Sequence, residues 1–166
     1  KIVLTTHDSA IRIISKTGAL ANPADRDHCL QYMTAVPLIF GTLTADHYED
    51  SFHAAHPMID VLRNKMVVEE DAQYSAAYHD PGMRSIANAV QVFFNDGSAT
   101  DKVVVEYPVG HQRRREEGMP LLVAKFEQHL ATRFPASRCK KIAEVCNEQA
   151  ALEAMPGHTF MNLWVI

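Results

Sequence analysis

Two stretches of the chain put reactive side chain types close together. Arg26, His28, Gln31 and Tyr32 lie within two turns of a helix-forming segment. His28 shares a helical face with Gln31 and Tyr32 at i+3 and i+4, while Arg26 and His28, two apart, point in different directions. A histidine, an amide and a phenol near a helix start can bind a carboxylate and move a proton. The same pattern also fits ordinary polar positions facing solvent. The second stretch is Gly110-His111-Gln112-Arg113-Arg114-Arg115. A Gly-His turn beside three arginines can grip a polyanion, because a guanidinium fork bonds a carboxylate bidentately. Glu116 and Glu117 follow, so a neutralised, solvated charge run is the alternative.

Other reactive residues make no pattern. His47, His53 and His56 have spacings of 6 and 3 with no matching carboxylate or cysteine, which is unlike the tight signatures of structural zinc. Cys29, Cys139 and Cys146 form no CxxC and read as small core hydrophobes. Neither GxGxxG nor GxxxxGK[ST] occurs, and there is no GxSxG elbow. The net charge of -4 makes no electrostatic case for nucleic acid. No apolar run reaches the ~20 residues that span a bilayer. Three cysteines, an odd number, suit a reducing compartment better than a disulfide framework.

The elements that must position these groups follow from periodicity and punctuation. Lys1–Thr6 is β-type, and 7–21 is expected to be a loop with a short strand. Asn22-Pro23 starts a helix, with Asn as N-cap and Pro at the first position. That helix is expected to run through Cys29, Leu30, Met33 and Val36, to kink or end at Pro37 and to stop at Gly41. Thr44 caps a short helix carrying Tyr48 and Phe52, and Pro57 opens another with Ile59, Leu62 and Met66. Met66–Glu69 is strand-like, and 70–85 is expected to be turn-rich. Ala89–Phe94 and Val103–Tyr107, separated by a turn at Asn95-Asp96-Gly97-Ser98, predict a hairpin. Pro120 opens an amphipathic helix ending near Phe134-Pro135, and another carries Ile142, Val145, Cys146, Gln149 and Leu152. The apolar tail Phe160–Ile166 must pack on something. A hydrophobic content of 47% over 166 residues supports a real core. Strand, helices, antiparallel strands, helices is an α+β order, expected as an antiparallel sheet with packed helices.

Several strings taken together are specific. Asn22-Pro23-Ala24-Asp25-Arg26-Asp27-His28-Cys29-Leu30-Gln31-Tyr32-Met33, Tyr78-His79-Asp80-Pro81 with Arg84-Ser85-Ile86, and Val103-Val104-Val105-Glu106-Tyr107-Pro108 with Gly110–Arg115 closely resemble segments of the MmgE/PrpD family. So do Pro120-Leu121-Leu122 to Lys125-Phe126, and Leu152-Glu153-Ala154-Met155-Pro156. The resemblance spans essentially the whole chain.

It implies an enzyme roughly three times this length, with a large all-helical domain and a smaller α+β domain. On that resemblance, residues 1–118 would be an N-terminally truncated α+β domain. Residues 119–166 would be C-terminal helices that pack against a helical domain absent from this chain. The implied activity is a hydro-lyase reaction, dehydration of 2-methylcitrate to 2-methylaconitate in propionate breakdown, with no obligatory metal or iron–sulfur cofactor. Related members isomerise, epimerise or decarboxylate other polycarboxylates, and a non-catalytic α+β binding or assembly module is a further alternative. The main catalytic His and Lys would lie upstream of Lys1, which leaves His28 and Tyr32 as catalytic candidates here. Arg26, Gln31, Gly110, His111 and Arg113 are the substrate-binding candidates, with Arg26 and Arg113 as carboxylate contacts. The partners implied are a tricarboxylate substrate and the missing helical domain, with no nucleic acid and no membrane. A homodimer is left open for the parent. The expected location is the cytoplasm, or the mitochondrial matrix in a eukaryote.

Overall fold

The computed structural model describes residues 1–165 and divides into two compact units, Lys1–Pro108 and Val109–Ile166. The first unit is built on a four-stranded sheet of β1 (Ile2–Thr6), β2 (Met66–Glu70), β3 (Asn88–Val92) and β4 (Val103–Val105), in the order β2-β1-β3-β4. Its helices are α1 (Asp8–Ile14), α2 (Pro23–Asp27), α3 (Leu30–Phe40), α4 (Asp50–Ala55), α5 (Met58–Arg63) and α6 (Ala72–His79). A 3₁₀ turn over Ala45–Tyr48 precedes α4.

The α+β class holds, but the sheet is mixed. β1 and β3 are antiparallel, as are β3 and β4, whereas β1 runs parallel to β2 from Ile2↔Met66 to Thr6↔Glu70. The connection from β1 to β2 passes through five helices, long enough to return the chain to its starting edge and so to allow a parallel pair. The Asp-Gly hairpin forms with register Asn88↔Val105 to Val90↔Val103. Gly97 takes φ +87° in its turn, where a side chain would be strained.

Three local expectations are corrected. Residues 8–14 are helical rather than looped, because the His7 imidazole caps the helix by accepting from Ala10 N at 3.3 Å. The helix after Asn22 breaks at His28-Cys29. In an unbroken helix, residues 26 and 31 would point about 140° apart, yet Arg26 and Gln31 are both buried. The break lets both turn inward. The expected stop at Gly41 holds, since α3 carries Pro37 internally, continues to Phe40 and ends at Gly41 with φ +76°. Burial of Tyr32, Ala35 and Val36 outweighs the lost backbone bond. The turn-rich stretch also holds α6, capped by Asp71, whose carboxylate accepts from Gln73 N and Tyr74 N. An Asp before an alanine-rich octapeptide was the legible signal.

The core of this unit gathers Leu20, Cys29, Tyr32, Ala35, Val36 and Ile59, with Tyr48, Phe52, Leu62 and Met66 against it. The second unit holds a 3₁₀ turn (Gln112–Arg114), α7 (Arg115–Ala131), α8 (Ala136–Asn147), α9 (Gln149–Ala154) and α10 (Gly157–Asn162). α7 begins five residues before Pro120 and carries it internally. Leu130, Ile142 and Leu163 form the second core. Trp164 meets the rings of Phe160 at 5.7 Å and Phe134 at 6.0 Å. Phe160, Leu163 and Trp164 of the apolar tail therefore pack within their own unit, whereas Met161 and Val165 are exposed, and Ile166 lies outside the described residues.

His7 is buried and stacks on Tyr78 with ring centroids 4.1 Å apart. Burial holds its pKa below the ordinary 6.5, partly offset by Asp8 and reinforced by His79. The folded state therefore binds the proton less readily than the unfolded chain. Its stabilising contribution is complete above about pH 6.5 and falls as the pH drops from there towards the lowered folded value. We predict that wild type loses more stability than His7→Asn between pH 7 and pH 5 in urea unfolding. Parallel profiles for the two proteins would contradict this.

Candidate functional site

The residues singled out from sequence fall in both units, Arg26, His28, Gln31 and Tyr32 in the first and Gly110, His111 and Arg113 in the second. In the first unit the helix break sorts them by exposure. Arg26 is 1% exposed. Its Nε donates to Tyr48 O at 2.7 Å, and Nη1 faces Leu20 O and His53 Nδ1, each at 3.4 Å. Nη2 bonds Asp50. Every nitrogen of this guanidinium thus has a partner inside the chain.

Tyr32 is equally enclosed. Its hydroxyl donates to His47 O at 2.6 Å, and burial pushes its pKa up, so it stays a phenol. The Gln31 amide donates to Ser15 Oγ at 3.0 Å, while its carbonyl accepts from Lys16 N at 3.2 Å and from the Cys29 thiol. His28 stands apart from them. Its side chain is 63% exposed and meets Asp27 Oδ1 through Nδ1 at 2.5 Å. The shared helical face expected for His28, Gln31 and Tyr32 does not form, because the break at Cys29 comes between them.

Sequence spacing missed the network behind Arg26. His53 Nδ1 faces Arg26 and its Nε2 lies 2.9 Å from Asp60 Oδ2. With Arg26 as the donor, His53 takes the tautomer that carries its proton on Nε2 and donates to Asp60. Asp60 also bonds Arg63, whose Nη2 donates to Gly18 O at 3.2 Å. The one sequence signal is Asp60-x-x-Arg63 at i+3 on α5. His47 and His56 are spent elsewhere. His47 closes a capping box with Thr44, and both rings pack around Phe40 and Phe52.

In the second unit, His111 Nδ1 accepts from Arg113 N at 3.1 Å and caps the 3₁₀ turn. Arg114 forks onto Glu117 at 2.9 and 2.5 Å. That pairing lowers the Glu117 pKa and raises that of Arg114. One of the three arginines is thus committed to a neighbouring glutamate, while the Arg113 side chain is exposed. Gly118 fixes the entry to the turn, since a Cβ there would overlap the Val109 carbonyl.

The family model for the MmgE/PrpD C-terminal domain matches residues 1–149. The chain belongs to the MmgE/PrpD family. It is 53% identical over 99% of its length to the 2-methylcitrate dehydratase of Cupriavidus necator, and covers 34% of that protein. It is 51% identical over its whole length to the 2-methylcitrate dehydratase of Escherichia coli K12, again 34% of the relative. The mitochondrial 2-methylcitrate dehydratase of Yarrowia lipolytica is 50% identical over 89% of the chain and 28% of that protein. The chain thus spans about a third of the length of these curated relatives and corresponds to their C-terminal part. No helix among the described residues is long and apolar enough to cross a membrane.

Two predictions follow from the geometry. Arg26→Met leaves the Tyr48 and Leu20 carbonyls without their donors and lowers stability by at least ~2 kcal/mol. His28→Ala, at an exposed pair, changes it by under ~0.5 kcal/mol. Urea midpoints at constant m-value measure both, and equal effects would contradict the assignment of exposure. Gly118→Ala drives Val109 from its position and destabilises the chain by ~1–3 kcal/mol. In an NMR spectrum the largest shifts should cluster at Val109–Arg113, and shifts spread evenly over the chain would refute this.

Proposed function

We propose that the protein carrying this chain is a hydro-lyase that dehydrates 2-methylcitrate to 2-methylaconitate in propionate breakdown. The single observation behind this is identity of about half, over essentially the whole chain, to proteins of that name. The chain contributes the smaller α+β domain and C-terminal helices. The helices from residue 119 onward dock on an all-helical domain, and the principal His and Lys catalysts belong to that other part of the protein. The chain by itself is inactive. Its setting is the cytoplasm of a bacterium or the mitochondrial matrix of a eukaryote.

Dehydration removes a proton beside a carboxylate and a hydroxide from the neighbouring carbon, so it needs a base, an acid and cationic anchors for the carboxylates. His28 is the proton-transfer candidate of this chain, its ring being open to a ligand. Gly110, His111 and Arg113 form the carboxylate-binding turn, supported by the exposed Arg113 side chain. Tyr32 and Arg26 act one step back. Their polar atoms are engaged by carbonyls and side chains of the core, and they hold the helix break that presents His28.

The test is turnover of 2-methylcitrate by the full-length protein, followed by absorbance of the new conjugated double bond. We expect His28→Ala to lower kcat by about 10²-fold or more, the usual size of a general acid–base contribution. Arg113→Ala should mainly raise KM. Undiminished kcat and KM in both variants would make these residues structural. Turnover of a different polycarboxylate, with none of 2-methylcitrate, would refute the substrate.

A further inference from the structure

The loop between α1 and α2 folds over a small cavity of about 120 Å³, lined by Lys16, Thr17, Gln31, Arg63, Asn64 and Met66. Five of these six residues are polar, and two are cationic. Arg63 is 7% exposed, and its Nε–H finds no acceptor in the protein. A buried guanidinium N–H without an acceptor is costly and uncommon. Its other nitrogens are engaged, Nη1 by Asp60 and Nη2 by Gly18 O. The Lys16 ammonium reaches Asp25 at 3.3 Å, using one of its three donors. Among the described residues, the Thr17 hydroxyl and the Asn64 side-chain amide have no hydrogen-bond partner, while the Asn64 backbone N–H donates to Asp60 O at 3.0 Å.

We propose that this cavity binds one carboxylate arm of a polycarboxylate. Size decides how much of the ligand enters. The cavity exceeds what a single water needs but falls well below the ~300–1,000 Å³ of a pocket that encloses a whole small molecule. It therefore takes a terminal carboxylate with its adjoining methylene and leaves the rest of the ligand outside. Polarity decides the charge. Lys16, Thr17 and Asn64 supply N–H and O–H donors, and Arg63 adds a positive charge beneath them. Asp25 and Asp60 pair with the two cations but do not line the cavity. The Met66 side chain gives the methylene an apolar surface. Gln31 ties the walls together, since it accepts from Lys16 N and bonds Ser15. This assignment deepens the proposed function and rests on a polycarboxylate as substrate.

The experiment is a titration of this chain with propane-1,2,3-tricarboxylate, read at the backbone amides of Lys16, Thr17 and Asn64 by ¹H–¹⁵N NMR. The uncharged triamide of the same skeleton and inorganic phosphate are the control ligands. We expect saturable shifts at these amides with the tricarboxylate and none with the triamide. Lys16→Met should weaken binding about tenfold, the size of one lost charge-assisted bond. Asn64→Asp, an exposed change that adds a negative charge at the mouth, should abolish it. Phosphate binding as tightly as the tricarboxylate would mean a generic anion site and overturn the assignment. So would shifts that never saturate, equal shifts from the triamide, or binding unaffected by both substitutions. The turnover assay on the full-length protein is separate. Binding at the cavity without dehydration of 2-methylcitrate would sink the substrate proposal alone, and dehydration without binding here would sink the cavity alone.

Discussion

Two buried arginines and the histidine between them hold the first unit in shape. From Asp50 the contacts run to Arg26, from Arg26 to His53, from His53 to Asp60, and from Asp60 to Arg63. Each guanidinium also binds a carbonyl of the loop that joins α1 to α2, Arg26 at Leu20 and Arg63 at Gly18. A loop with little apolar content is thus fixed from below by charge-assisted bonds. Burying two such cations is tolerable only because their charges are balanced and most of their donors met. The helix break at His28-Cys29, the orientation of Gln31 and the position of Lys16 all depend on that loop staying in place.

This constraint gives the two ends of the α2 region different roles. Arg26 and Tyr32 turn inward and consume their hydrogen-bonding capacity in the fold. His28, on the intervening residues, turns outward. Titratable groups so close in sequence are separated by environment, one an enclosed phenol and the other an accessible imidazole. The second unit repeats the logic on a smaller scale. Arg114 is neutralised by Glu117, His111 caps the turn, and Gly118 lets Val109 come close enough to seat it.

Much of this was legible in the sequence, for identifiable reasons. Asn22-Pro23 marked a helix start because capping is a local interaction, and Asp96-Gly97 marked the hairpin because a positive φ needs glycine. The long strings around Arg26 and Arg113 pointed to the family. What the sequence hid was tertiary. A parallel β1–β2 pair depends on where a long connection returns, which no local pattern encodes. α1 is rich in β-branched residues and is helical because a histidine caps it and the sheet supports it. Arg26 resembled a ligand contact because arginine usually sits at a surface. Its partners are 6 to 27 residues away, at Leu20, Tyr48, Asp50 and His53, so no short-range spacing could reveal its burial.

The central claim is that the Arg26–His53–Asp60–Arg63 chain fixes the α1–α2 loop. Amide hydrogen exchange in His53→Ala tests it most directly, because that change cuts the chain in the middle and leaves both arginines in place. The amides of Lys16 and Ala21 are bonded to Gln31 and Asp25. They should exchange at least about tenfold faster in the variant, while the β1 and β3 amides change little. Unchanged protection at Lys16 and Ala21, or an equal increase throughout the sheet, would contradict the account.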